Sequence, residues 1–188
     1  MGIPEDLPFI SVEDYLASER DSEVRHEYIG GQVYAMSGAS EAHNLISGNI
    51  FAALHAHLRG SPCRAFINDM KVRLSIAGDD VFYYPDVFVT CDPADRESHY
   101  KTSPKLVFEV LSPASERTDR REKFLSYQRL PSLEEYVLVD QRRRAVTVFR
   151  RSGDWEPVPT DKNGEFALPS VGITLAMDTV YEEVDVGG

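Results

Sequence analysis

Two carboxylates stand in this chain where a charge is seldom placed. Residues 82–90 read FYYPDVFVT and residues 105–112 read KLVFEVLS, so Asp86 and Glu109 each interrupt an apolar, strand-like run. On a strand, side chains two apart share a face. That sets Asp86 with Phe82, Tyr84 and Phe88, and Glu109 with Val107 and Leu111. An isolated carboxylate in such surroundings loses several kcal/mol of hydration unless its pKa rises or a cation or metal joins it. Oxygen-only donors suit Mg²⁺ or Mn²⁺ and not zinc. Lys123, one turn into the helix expected after the Glu109 strand, can bring its ammonium back toward the same end of the sheet. Two acids that hold a hard cation, with a lysine beside them, are the parts of a phosphodiester-cleaving centre. Glu27 is either a third acid at this site or a hairpin residue paired with Arg25. His43, in the first turn of a long helix, is either a packing and hydrogen-bonding residue or a ligand.

The elements that must position these groups can be read in order. Ser11-Val12-Glu13-Asp14 has the form of a capping box and opens a short helix. RHEYIGGQVYA is a hairpin turning at Gly30-Gly31, with Glu27 on its first strand. Residues 40–59 form the main helix, with Ile46, Ile50, Ala53, Leu54 and His57 on one stripe. CRAFINDMKVRLSI reads as one strand that turns at Gly78-Asp79-Asp80 and pairs with VFYYPDVFVT. After KLVFEVLS a Pro-Ala-Ser break precedes a helix from Asp119, where D-R-R-E reads as a cap and Phe124 and Tyr127 mark the buried side. EEYVLVD and AVTVFRR pair next, and Asn163-Gly164 marks a turn between WEPVP and FALP. The order predicts an α/β fold, a central mixed sheet flanked by helices. Without repeats or a linker, residues 1–188 are expected to make one domain.

Composition narrows the function. The 188 residues carry a net charge of −11, which opposes tight, sequence-independent binding to a phosphate backbone. Any nucleic-acid contact must therefore be local. The run Arg142-Arg143-Arg144, with Arg117, Arg120 and Arg121, is a solvated turn or a source of phosphate contacts. Cys63 and Cys91 form no C-x-x-C pattern, so neither a disulfide framework nor a zinc ribbon is expected, and a reducing cytoplasm fits. The N-terminus lacks a basic segment followed by an apolar core, and no run approaches the ~20 apolar residues of a membrane span. The expected protein is neither secreted nor inserted. The apolar strands YVLVD and AVTVFRR look surplus to covering the sheet of their own chain, which favours a homodimer.

Asp86 in Tyr84-Pro85-Asp86, Glu109 in FEVLSP and Lys123 in DRREKFLSY together resemble the PD-(D/E)XK nuclease superfamily. The superfamily pattern puts its lysine two residues after the second acid, where this chain has Leu111. A lysine moved onto the following helix resembles the Uma-type family of restriction endonucleases, whose landmarks RHEYIGGQVYAMSGAS, His43-Asn44, YPDVFVT, EVLSPAS and EEYVLVD are similar to. The likeness runs from about Ser11 to Arg151, with residues 152–188 left as C-terminal strands and a tail. It implies a restriction-endonuclease-like fold, a homodimer and magnesium-dependent cleavage of nucleic acid, DNA in the first instance. Asp86 and Glu109 would be the metal ligands, Lys123 the catalytic lysine and Glu27 an additional acid.

Overall fold

Ser11 opens the first helix as the capping pattern requires, its hydroxyl accepting the Asp14 N–H at 3.1 Å. The helix α1 spans Val12–Asp21. The computed structural model describes residues 8–113, 115–161 and 163–186. The outer ends of the expected domain and Ala114 of the expected break lie outside the described residues. Strands β1 (His26–Ile29) and β2 (Gln32–Ala35) form the expected hairpin. Gly30 and Gly31 turn it with φ of 53° and 91°, conformations that a side chain resists. Helix α2 (Glu41–His57) is capped by the Ser40 hydroxyl and buries Ile46, Ile50 and Leu54. His57 falls outside that stripe; it is exposed, with Nε2 2.9 Å from the Val171 carbonyl.

The next expectation needs correction. CRAFINDMKVRLSI is two strands, β3 (Arg64–Ile67) and β4 (Lys71–Ile76), broken at Asn68, whose φ is 54°. Its return partner is also two strands, β5 (Asp79–Tyr83) and β6 (Val87–Thr90). β4 pairs with β5 across an Ala77-Gly78 turn, whereas β3 pairs with β6 in a different sheet. Tyr84-Pro85-Asp86 is therefore the crossing between sheets, and proline suits it because its missing N–H cannot serve a ladder. The shared face expected for Asp86 fails for the same reason. Phe82 packs with Tyr15 and Tyr28, while Phe88 packs with Val107 and Tyr127.

β7 (Tyr100–Lys101) and β8 (Pro104–Leu111) follow. A continuous helical segment then comprises α3 (Glu116–Thr118), a π-helical turn over Asp119–Lys123 and α4 (Phe124–Tyr127). Asp119 lies inside this segment and is not its cap. β9 (Glu135–Asp140) returns parallel to β8, with Glu109 opposite Leu138, so β8, the helical segment and β9 form a β-α-β unit. β10 (Val146–Arg150), β11 (Pro157–Pro159), β12 (Glu165–Leu168), β13 (Ile173–Ala176) and α5 (Met177–Val180) complete the order. The Asn163-Gly164 turn joins β11 to β12, but these strands do not pair; β12 pairs with β13.

Among the described residues the strands make a five-stranded sheet, β2-β1-β5-β4-β7, a six-stranded sheet, β11-β10-β9-β8-β6-β3, and the β12-β13 ribbon. The fold is α/β, with mixed sheets flanked by helices. One core packs α2 against Val87, Phe108, Val110 and Val139 of the six-stranded sheet. A second fills the space between the sheets with Val72, Tyr83, Val107, Tyr127 and Tyr136. Glu109 shares the face of Val107 and Leu111, as its spacing predicts, and so points into the space between the sheets.

Two further expectations are overturned. β9 is buried along its whole length and β10 is covered by β11, so the hairpin offers no surplus apolar edge to a second copy. Cys63 and Cys91 are joined as a disulfide. The register that sets Arg64 opposite Thr90 carries one step further to bring them together.

Candidate active site

Five charged side chains from four segments meet where the two large sheets face each other. Glu27 comes from β1, Asp86 from the crossing between sheets and Glu109 from β8. Asp119 and Lys123 come from the two ends of the π-helical turn. The Lys123 Nζ lies 2.8 Å from Glu27 Oε1, 3.3 Å from Asp119 Oδ1 and 3.6 Å from Glu109 Oε1. Glu109 and Asp119 each expose only 2% of their side chains, and Lys123 7%. Among the described residues, those three carboxylate oxygens make no well-directed hydrogen bond, so attraction to the ammonium is what holds them.

The helix geometry explains the lysine's reach. A π turn is wider than an α turn and often marks a functional position. Here it keeps Asp119 and Lys123 on one side, and the buried Tyr136 hydroxyl pins it to β9 by donating to the Asp119 carbonyl at 2.9 Å. Asp86 is held differently. Its Oδ2 accepts the Val110 N–H at 2.6 Å, which fastens it to the residue after Glu109. Its Oδ1 lies 3.2 Å from His43 Nε2, reached from the first turn of α2.

Burial sets the protonation balance. It pushes the Glu109 carboxyl well above the usual carboxylate range, and the Lys123 ammonium only partly offsets this. Burial raises Asp119 for the same reason. For Lys123 burial acts downward, but Glu109, Glu27 and Asp119 more than compensate and hold the ammonium well above an ordinary lysine. Burial also pulls His43 down, and the bond to Asp86 overrides it, so its pKa is raised.

These groups line a cleft of about 760 Å³, together with Tyr34, Asn44 and Ser112. Among the described residues no three His, Cys, Asp or Glu side chains form a group ready to hold a metal ion. The donor chemistry nonetheless fits a hard cation. Buried carboxylate oxygens without directed hydrogen bonds border the cleft, and no thiolate is near.

All four residues singled out from sequence, Glu27, Asp86, Glu109 and Lys123, border this cleft. Glu27 resolves toward it, since Arg25 pairs instead with Asp69 at 3.1 Å. Asp119 was missed as a site residue, although its spacing of four from Lys123 on a helix was a usable signal. The arginines read as a solvated turn or a source of phosphate contacts do not line this cleft. Arg120 and Arg142 pair with Glu116, Arg143 with Asp140 and Arg144 with Asp178.

A family model described as "Putative restriction endonuclease", Uma2, matches residues 12–178. The chain belongs to the Uma2 family. An uncharacterized Synechocystis sp. protein, slr1290, is 37% identical over 178 residues, covering 93% of each chain. A second Synechocystis sp. protein, sll1609, also described as uncharacterized, is 32% identical over 161 residues, covering 84% of this chain and 90% of its own. The fold is shared with the crystal structure of a putative nuclease belonging to DUF820 from Anabaena variabilis. The TM-score is 0.74 at 20% identity, over 92% of this chain and 97% of that one. Uma2 membership supports a nuclease-like role. No helix among the described residues is long and apolar enough to cross a membrane.

Proposed function

We propose that this Uma2 chain is a single-domain, metal-dependent nuclease that hydrolyses phosphodiester bonds of nucleic acid, DNA in the first instance. The observation that carries the reading is the convergence of Asp86, Glu109 and Lys123 on one cleft, with Glu109 buried at a cost that packing alone does not require. Asp86, Glu109 and the carbonyl beside Glu109 would hold Mg²⁺ or Mn²⁺. Such an ion, when bound, supplies Lewis-acid polarisation of the phosphate and a more acidic water. The Val110 N–H and His43 fix the Asp86 carboxylate from two sides, which limits its motion during catalysis. Lys123 supplies positive charge beside the acids, where a phosphorane-like transition state gains negative charge. Asp119 and Glu27 hold that ammonium in place and complete the acid set.

The test is cleavage of duplex DNA, single-stranded DNA and RNA by the wild-type protein with Mg²⁺, with Mn²⁺ and with excess chelator. Metal-dependent cutting of at least one substrate, abolished by chelator, is the expected result. Failure to cut any of the three with either metal leaves the other reading, a binding module on the same fold without turnover. The buried Lys123 supports that alternative, because three carboxylates already satisfy its charge.

The family resemblance also carries a homodimer. Light scattering should return twice the mass of one chain. A single-chain mass across a hundredfold concentration range overturns the dimer and leaves the cleft chemistry as it stands.

A further inference from the structure

A second cleft, of about 350 Å³, lies beside the first and shares Arg25, Asp69 and Tyr84 with it. Its character is different. Arg20, Arg25, Lys71 and His99 line it, against Glu19 and Asp69. Lys71, the first residue of β4, is 7% exposed. Among the described residues its ammonium has one hydrogen bond, to the Tyr84 hydroxyl at 3.1 Å. An ammonium has three donors, so two are left over.

The nearby carboxylates attract this charge without bonding to it directly. Glu19 Oε1 accepts the Tyr84 hydroxyl and the His26 N–H, each at 2.8 Å, and Oε2 lies 3.2 Å from His26 Nδ1. Asp69 is engaged by Arg25 at 3.1 Å. Arg20 has neither a hydrogen bond nor an ion pair among the described residues. Burial lowers the Lys71 pKa; Glu19 opposes this most, while Arg25 and Arg20 push it further down and Asp69 pulls it up. Lys71, Arg20 and Arg25 face two carboxylates, Glu19 and Asp69, so one positive charge is left over for an incoming anion. In a chain of net charge −11, a concave site with an unpaired Arg20 and a buried Lys71 that keeps two donors unused is a local exception.

We propose that this second cleft is a phosphate-binding subsite, in which Lys71 and Arg20 hold the backbone phosphate flanking the one presented to Asp86 and Glu109. The assignment rests on the nuclease reading for the identity of the strand. The segment Tyr84-Pro85-Asp86 supplies the connection. Tyr84 borders both clefts and bonds Lys71, and Asp86 two residues on enters the main cleft, so the two sites are neighbours along this segment. The recognition is electrostatic and independent of base identity. It also accounts for nucleic-acid contact in an acidic protein without the Arg142–Arg144 run.

The experiment measures binding to a fluorescein-labelled single strand of DNA, roughly twelve nucleotides long, by anisotropy over a series of salt concentrations and without divalent metal. Wild type, Arg20→Gln and Lys71→Met are compared, with inorganic phosphate tested separately for protection against melting. Each variant should weaken DNA binding roughly tenfold and reduce the salt slope by about one, the signature of one lost phosphate contact. Inorganic phosphate should raise the melting temperature of wild type more than that of either variant. Arg20 is exposed and unpaired, so Arg20→Gln tests the site even where Lys71→Met disturbs packing. DNA that is bound with an unchanged salt slope in Arg20→Gln overturns the subsite, and cleavage by the same variant once Mg²⁺ is added leaves the nuclease reading intact. Phosphate protection that depends on Arg20 and Lys71, in a protein that binds no DNA, overturns the flanking-strand assignment and locates the failure in the nuclease reading.

Discussion

Lys123→Met is expected to lower stability by about 3–5 kcal/mol at neutral pH, the scale of removing one partner from a buried ion cluster. A lysine that only positioned charge at the site would leave the fold intact when replaced by methionine. The geometry argues for a larger effect. The ammonium is 2.8 Å from Glu27, 3.3 Å from Asp119 and 3.6 Å from Glu109, and nothing else is directed at those three oxygens among the described residues. Methionine fills the volume and leaves three carboxylates facing one another in a buried space.

The pH dependence gives this prediction its sign. The folded-state pKa of Lys123 is raised. Its contribution is thus fully present below the unfolded value, roughly 10.4, and disappears as pH rises through the folded value. In the variant the burden shifts to the acids, which relieve their repulsion by taking up protons. The deficit against wild type should be large at pH 8 and narrow steadily toward pH 4. Urea unfolding at several pH values measures it. Equal stability at pH 8 would show that the carboxylates find other partners and that the lysine is dispensable to the fold.

How much of this site could be read beforehand depended on which residues spoke through local pattern. Glu109 was legible because β8 is a regular strand, where period-two spacing puts it with Val107 and Leu111 and toward the space between the sheets. Glu27 and the Gly30-Gly31 hairpin were legible because turn chemistry is local. The split between two sheets was not. Asn68-Asp69-Met70 looks like polar punctuation within one strand, and only the left-handed Asn68 and the ladder partners of β3 and β6 separate it into two. That one misreading hid two consequences: Asp86 at a crossing and the second cleft at the start of β4. Asp119 was misread because an acid near a helix start serves equally well as a cap. Only tertiary contact with Tyr136 and Lys123 shows its place inside the helical segment.

Glu109→Gln is expected to move activity and stability in opposite directions. Cleavage should fall roughly a hundredfold or more, the scale of losing one preorganised group that acts on the transition state. Stability at neutral pH should rise, because burial holds the Glu109 carboxyl well above its usual range despite the neighbouring ammonium. A folded-state pKa above the unfolded value means that the native state binds the extra proton between the two. The penalty is therefore absent below the unfolded pKa, roughly 4.3, grows as pH climbs through the window and stays in full above the folded value. Glutamine never ionises, so the variant should melt with wild type at pH 4 and above it at pH 8. A purely structural glutamate predicts another outcome: removing its attraction to Lys123 would lower the melting temperature at pH 8 and cleavage would be lost only through unfolding. Melting curves at both pH values, with single-turnover cleavage at a temperature where both proteins are folded, separate the two. A variant that cuts at the wild-type rate while folded removes Glu109 from the proposed chemistry. One that is more stable and inactive is what a residue kept for function at the expense of the fold should produce.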